Sequence, residues 1–184
     1  MRGLTIVEFV IVGSLITFIG ASLLDFFLRQ SDFIQISTAQ AELQVQGQLA
    51  IDAVASELRH ATRADAGSPP NVTIPNSPNN SQLTFYLPTD ADGNGVITDA
   101  AGAIEWVTAT PVTFQYAAGT RRLLRSTAAG SRVLANDVTA AVFEDRNIDG
   151  TLLANEVRVR LTLQKTAGRR SLSTTLSGII TLRN

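Results

Sequence analysis

Two short acidic runs contain the residue types in this sequence that could bind a metal ion. In residues 145–156, oxygen-bearing side chains occupy alternate positions before Gly150, and a glutamate follows at the twelfth place. This is the spacing of a calcium-binding loop, in which the chain curls around the ion and a glycine permits the sharp turn. The alternative is a tight Asn-Asp-Gly turn without an ion, because the flanking residues have strand patterns. The candidate ligands are Asp145, Asn147, Asp149, Thr151 through its carbonyl, and Glu156.

The other acidic run, residues 90–99, comes earlier in the chain and is similar, but it has no glutamate twelve places along. Asparagine, aspartate and glycine at this density predict a turn, and calcium is the alternative. An exported protein needs only weak affinity for calcium, because calcium outside the cytoplasm is abundant. The candidate ligands in this run are Asp90, Asp92, Asn94 and Asp99.

Glu8 is the third candidate for chemistry, because it is the one charged residue between Leu4 and Leu24. An apolar run of about 20 residues is long enough for an α-helix to cross a bilayer. An ionised carboxylate inside such a run is costly unless it has a partner. We therefore expect Glu8 to meet a positive group within the membrane or within an assembly.

Three interpretations of the N-terminus compete. A secretory signal peptide would use Arg2 as its charged region and residues 19–21 as a cleavage site, but Glu8 and the helix-forming sequence that follows argue against it. An ordinary single-pass anchor accounts for everything except Glu8. The third interpretation is a resemblance: Gly3-Leu4-Thr5-Ile6-Val7-Glu8 resembles the type III signal of type IV prepilins and pseudopilins.

In that family a prepilin peptidase cleaves after the glycine, and the new N-terminus is methylated. The acid five residues beyond the cut neutralises the N-terminus of the adjacent subunit. The resemblance therefore implies cleavage between Gly3 and Leu4, methylation of Leu4, and an assembly role for Glu8. A new ammonium group is a suitable counter-ion for a carboxylate at low dielectric. Leu4 departs from the phenylalanine that is usual in the family.

A second resemblance covers residues 40–66, which are similar to the helix of PilW-like minor pilins and GspJ-like minor pseudopilins, with Leu58-Arg59-His60-Ala61 as the matching pattern. It implies a minor subunit of a type IV pilus or a type II secretion-like filament, with other pilin or pseudopilin subunits as partners. The sequence leaves open whether the filament serves a pilus, secretion or competence. Arg2 ahead of the apolar run predicts insertion in the inner membrane with a cytoplasmic N-terminus and a periplasmic domain.

One long helix must position Glu8 relative to the rest of the chain. No proline lies between residues 25 and 63, and apolar residues recur at helical spacing from Ile51 to Ala61. The predicted organisation is a leader at residues 1–3, a transmembrane half-helix at 4–28, an amphipathic half-helix at 29–66 and a β-rich globular domain at 67–184.

Strand patterns fill the remainder of the chain. In the last two strands, apolar residues alternate with polar ones, which is typical of a sheet with one packed face. We predict class α+β, with the long N-terminal helix packed on an antiparallel sheet or pair of sheets. The predicted strands are residues 82–87, 104–108, 112–116, 121–126, 132–134, 138–143, 157–164 and 172–182.

Composition argues against several other functions. The chain has no cysteine, so a disulfide or a thiol nucleophile is excluded. The single histidine, His60, lies on the long helix, so no Ser-His-Asp constellation is supported and we predict no enzyme. The net charge of −1 gives no reason to expect nucleic acid as a partner.

Two rival functions remain open. One is a membrane-tethered, calcium-dependent binding module that does not polymerise. The other is a filament subunit specialised for DNA, which would need the arginines to gather on one surface. Those arginines are Arg121, Arg122, Arg125, Arg132, Arg158, Arg160, Arg169 and Arg170.

Overall fold

The computed structural model describes residues 5–61, 72–75, 80–98, 100–102, 104–105, 110–168 and 170–182. Helix α1 is followed by strands that form two antiparallel sheets, ordered β1-β2-β3-β4-β5 and β6-β7-β8. The predicted α+β class is confirmed. The elements are α1 (Ile6–Leu58), β1 (Val72–Thr73), β2 (Gln82–Phe85), β3 (Val112–Ala117), β4 (Arg122–Thr127), β5 (Gly130–Ala135), β6 (Val138–Glu144), β7 (Glu156–Ala167) and β8 (Arg170–Thr181).

Helix α1 is 53 residues long without a break, which corresponds to about 80 Å. It ends at Leu58, whereas the predicted amphipathic half-helix at 29–66 ended at residue 66. The reason is a tighter turn, in which the His60 and Ala61 N–H groups donate to carbonyls three residues back, those of Glu57 and Leu58. This turn places Ala61 in the core, where it is fully buried. Residues 62–66 lie outside the described part of the chain.

The C-terminal half of α1 packs on the inner face of β7 and β8. Its buried residues recur at intervals of three and four, which is the spacing of one helix face. Gly47 faces the sheet at close range: a methyl group there would collide with Cδ1 of Leu176 and lie 3.0 Å from Cδ1 of Leu163. The buried residues are Ala39, Leu43, Gly47, Ala50, Ile51, Val54, Ala55 and Leu58.

Strands β7 and β8 form a hairpin that is paired from Glu156–Thr181 to Ala167–Arg170. Its turn contains Gly168 at φ +60°, which is a left-handed conformation that favours glycine. The predicted alternation is confirmed, because Val157, Val159, Leu161 and Leu163 are buried while the residues between them are more exposed.

The other predicted strands are found with small changes at their ends, with one exception. In the predicted strand at 104–108, Ile104 makes only an isolated bridge to Thr98. Residues 106–109, including Trp106, lie outside the described residues. Hydrophobic side chains from both sheets and α1 meet in a single cluster, in which the rings of Phe85 and Phe114 stack at 5.6 Å.

An ion pair connects α1 to the five-stranded sheet. Arg125 on β4 donates through Nε to both carboxylate oxygens of Glu57, at 2.6 and 2.8 Å. The two side chains are only 25% and 23% exposed, so solvent screens this pair less than it would a surface pair.

Replacing Arg125 with glutamine should destabilise the protein by about 1–3 kcal/mol, between the values typical of exposed and buried pairs. Chemical denaturation of the detergent-solubilised chain measures the change. The matched control is Arg29→Gln. Arg29 pairs with Asp25 one helical turn away, and the side chains of Arg29 and Asp25 are 79% and 62% exposed. Equal losses from the two substitutions would contradict a special role for the Glu57 pair.

Candidate functional site

The N-terminal half of α1 leaves the globular domain. Between residues 6 and 38 only Gly20 and Ile36 are even half-buried. The most apolar 18-residue window of this helix has a mean hydropathy of 2.2 and no buried residue. Among the described residues, this is the one helix that is long and apolar enough to cross a membrane.

The three hydroxyl groups between residues 6 and 24 are all bonded to the helix itself, which is what a lipid environment without water requires. Glu8 is the one ionisable residue between residues 6 and 24. The apolar half ends at an ion pair in which Nε of Arg29 lies 2.8 Å from Oδ2 of Asp25. The hydroxyl bonds are Ser14 Oγ to the Ile11 carbonyl at 2.8 Å, Thr17 Oγ1 to Gly13 at 2.8 Å and Ser22 Oγ to Phe18 at 2.9 Å.

Glu8 caps the start of α1. Its Oε2 accepts hydrogen bonds from the Thr5 backbone N–H at 2.8 Å and from Thr5 Oγ1 at 2.9 Å, while the Glu8 N–H donates to Thr5 Oγ1 at 3.3 Å. This reciprocal arrangement is a capping box, and it satisfies two of the backbone donors that a helix start leaves unpaired. Both side-chain bonds use Oε2, and within the described residues no hydrogen bond goes to Oε1.

The sequence reasoning did not include this cap, although the Thr-x-x-Glu spacing of residues 5–8 is a known signal for it. The cap gives Glu8 a local role in addition to the predicted assembly role. The two roles are compatible, because Oε1 can still meet a positive group. Gly3 and Leu4, the predicted cleavage and methylation residues, lie outside the described residues.

The first acidic loop along the chain, which begins at Asp90, brings three carboxylates together. Oxygen atoms of Asp90, Asp92 and Glu105 all lie within 4.8 Å of one another. Glu105 was absent from the predicted ligands and joins them through tertiary structure. Its N–H donates to the Ile97 carbonyl at 2.9 Å, and its own carbonyl accepts from the Thr89 N–H at 3.1 Å.

These carboxylates already have backbone partners. Asp90 accepts from the N–H groups of Gly93 at 2.7 Å, Asn94 at 3.1 Å and Gly95 at 2.8 Å. The Gly95 hydrogen bond is the main reason that the pKa of Asp90 lies below its ordinary value. The predicted ligand Asn94 bonds to Asp92, while Asp99 lies outside the described residues. Calcium at this loop stays a prediction.

The second acidic loop does not gather its carboxylates. Asp145 accepts from the N–H groups of Asn147 at 3.0 Å and Ile148 at 3.1 Å, so it caps its own turn. Oδ1 of Asp149 accepts a hydrogen bond from the Thr151 N–H at 3.0 Å, and Oε2 of Glu156 accepts one from the Leu153 N–H at 2.9 Å. Within the described part of the chain, the carboxylates of the first loop form the one group of three acids close enough to share an ion. Calcium at residues 145–156 also stays a prediction.

The arginines that could have formed a basic surface are divided among strands and partners. Arg121 Nη2 donates to the Gln164 carbonyl at 2.6 Å. Arg125 pairs with Glu57, and Arg158 and Arg160 both approach Glu144. Arg169 lies outside the described residues. That nucleic acid is not a partner stays a prediction.

A long apolar N-terminal helix packed on a β-sheet is a pilin-like architecture. The residues with a distinctive environment are Glu8 at the start of that helix and the exposed apolar surface that follows it. Comparison of the chain with protein-family models, with curated proteins and with solved structures finds no match.

Proposed function

We propose that this chain is a structural subunit, a minor pilin or minor pseudopilin, of a type IV pilus or type II secretion-like filament. The observation that carries the proposal is the division of one continuous helix into two halves. Residues 6–38 are exposed and, as far as Leu24, apolar apart from Glu8 and a few hydroxyl groups, while residues 39–58 carry the buried face that packs on the domain. An apolar surface of this extent requires lipid or protein around it.

In this proposal the apolar half of α1 first holds the subunit in the inner membrane, with the N-terminus in the cytoplasm and the globular domain in the periplasm. Prepilin peptidase cleaves between Gly3 and Leu4, and Leu4 is methylated. On assembly, α1 exchanges lipid contacts for contacts with neighbouring subunits. Glu8 pairs with the N-terminal ammonium of a neighbour through Oε1, while Oε2 keeps the helix start capped.

Mass analysis of the mature N-terminus tests the proposed processing. The mature protein should begin at methylated Leu4, because the residue before the cut is a glycine that can enter a protease active site in an extended conformation. Replacing Gly3 with leucine should leave residues 1–3 attached, whereas the matched control Gly13→Leu should be processed normally. A mature chain that starts at Met1, or one that starts beyond residue 21, would contradict the proposal.

The second candidate is a membrane-tethered, calcium-dependent binding module that does not polymerise. The observation that favours it is the group of carboxylates formed by Asp90, Asp92 and Glu105, whose oxygens are of the kind that calcium prefers. Millimolar calcium should then raise the Tm of the wild-type protein more than that of Asp92→Asn, because binding to the folded state stabilises it. Equal melting in calcium and in chelator would reject this candidate.

A further inference from the structure

Arg158 lies beside the loop at residues 145–156, whose spacing resembles that of a calcium-binding loop. Its Nη1 atom forms a close ion pair with Oδ2 of Asp149 and lies 3.5 Å from Oε2 of Glu144. We propose that the guanidinium of Arg158 takes the place of a cation in this loop, so that an internal ion pair closes the loop and no divalent cation binds there.

The sheet places Arg158 in this position. Glu144 is the last residue of β6, and Arg158 is directly opposite it on β7, so the two side chains emerge on the same face of the sheet. The intervening loop returns over that face and brings Asp149 to the arginine. Leu152 is only 4% exposed and holds the far side of the loop against the protein.

Burial and charge balance favour an internal pair. The side chains of Glu144, Asp149 and Arg158 are 16%, 22% and 23% exposed. Oε2 of Glu144 is shielded from solvent and accepts no hydrogen bond within the described structure, so its charge is compensated only by Arg158 and Arg160, each 3.5 Å away. Two acids and two arginines balance, and a divalent ion would add positive charge beside two guanidinium groups.

The predicted calcium ligands are also occupied in other ways. Asp145 and Glu156 accept hydrogen bonds from nearby backbone N–H groups. Asp149 accepts from the Thr151 hydroxyl at 2.7 Å, which is the largest cause of its lowered pKa, and the positive charge of Arg158 lowers that pKa further. An ion would have to displace these donors as well as the arginine.

The test measures the Tm of the full-length chain in detergent, in millimolar calcium and in chelator at equal ionic strength. All variants carry Asp90→Asn, so that the first acidic loop does not contribute. The parent should show no calcium-dependent shift. Arg158→Gln should lower the Tm by at least about 4 °C, as expected for a partly buried pair in a chain of this size. Calcium should then raise the Tm of this variant, because Asp149 has lost its counter-ion and Glu144 keeps only Arg160.

Three further variants, Arg158→Lys, Arg132→Gln and Asp149→Asn, complete the design. Arg158→Lys keeps the positive charge, so it should remain insensitive to calcium, and it decides the question if the glutamine variant does not fold. Arg132→Gln removes an exposed arginine of β5 and should leave the Tm unchanged with and without calcium. A calcium shift in the parent that Asp149→Asn abolishes would overturn the proposal. So would a folded Arg158→Gln variant without a calcium shift, or an Arg158→Lys variant with one.

Discussion

Replacing Glu8 with glutamine is expected to reduce incorporation of this subunit into filaments by more than about tenfold, because an ammonium left without its counter-ion at low dielectric is costly. Membrane insertion should be unchanged or improved, since a charge leaves the apolar run. The measurement is the ratio of subunit in sheared filaments to subunit in the membrane fraction. If the chain is instead a tethered binding module, the wild-type protein is itself absent from sheared filaments. Its calcium-dependent binding is then unchanged by the Glu8→Gln substitution.

The choice of glutamine separates the two roles of Glu8. Its amide oxygen can still accept the Thr5 N–H bond that Oε2 accepts in the wild type at 2.8 Å, so the cap is kept while the charge is lost. Thr5→Ala is the converse control: it removes the hydroxyl of the capping box and leaves the carboxylate. We expect Thr5→Ala to assemble nearly normally. If it fails as badly as Glu8→Gln, or if Glu8→Gln assembles normally, the ion-pair role is wrong.

Replacing Gly47 with leucine is expected to destabilise the globular domain by about 1–3 kcal/mol, because it inserts a side chain into the contact between the helix and the sheet. A Cβ atom alone would already collide with Leu176 there. Gly178 on the sheet is a second, less severe close contact, since a Cβ there would lie 3.1 Å from Cγ2 of Ile51. Chemical denaturation, followed by tryptophan fluorescence and circular dichroism, measures the loss.

Gly20→Leu is the matched control for this substitution. Gly20 is in the same helix, but no atom lies within 4 Å of the position of its added Cβ. Leucine favours helix by nearly 1 kcal/mol over glycine, so the control should be neutral or slightly stabilising. A loss of similar size at both positions would mean that the close approach of α1 to β7 and β8 does not limit residue 47.

The class and most elements followed from local patterns in the sequence. The 3–4 spacing from Ile51 to Leu58 and the alternation from Val157 to Leu163 each report that one face is buried. Such patterns are strong in this chain because α1 is long and the β7–β8 hairpin has 12 paired positions. They do not report what covers the buried face, so the division into two sheets and the docking of α1 on β7 and β8 came only from the structure.

The acidic loops show the same limit at the level of single residues. Spacing predicted that residues 145–156 would converge, but each carboxylate found a nearer donor and Arg158 approached from the adjacent strand. Glu105 joined Asp90 and Asp92 although no motif connects them, because the antiparallel bridge between Thr98 and Ile104 brings it back. Charge partners in loops are decided by which strands lie side by side, and that pairing is not encoded in local spacing.

The sequence by itself determined where this chain is apolar, that Glu8 is the exception within that run, and that a helix continues from it into a β-rich domain. These properties depend on residues a few positions apart. Only the tertiary structure decided that Gly47 lies against Leu163 and Leu176 of the sheet, that Glu105 joins Asp90 and Asp92, and that Arg158 pairs with Asp149. Those outcomes depend on distances between groups that packing, rather than local periodicity, brings together.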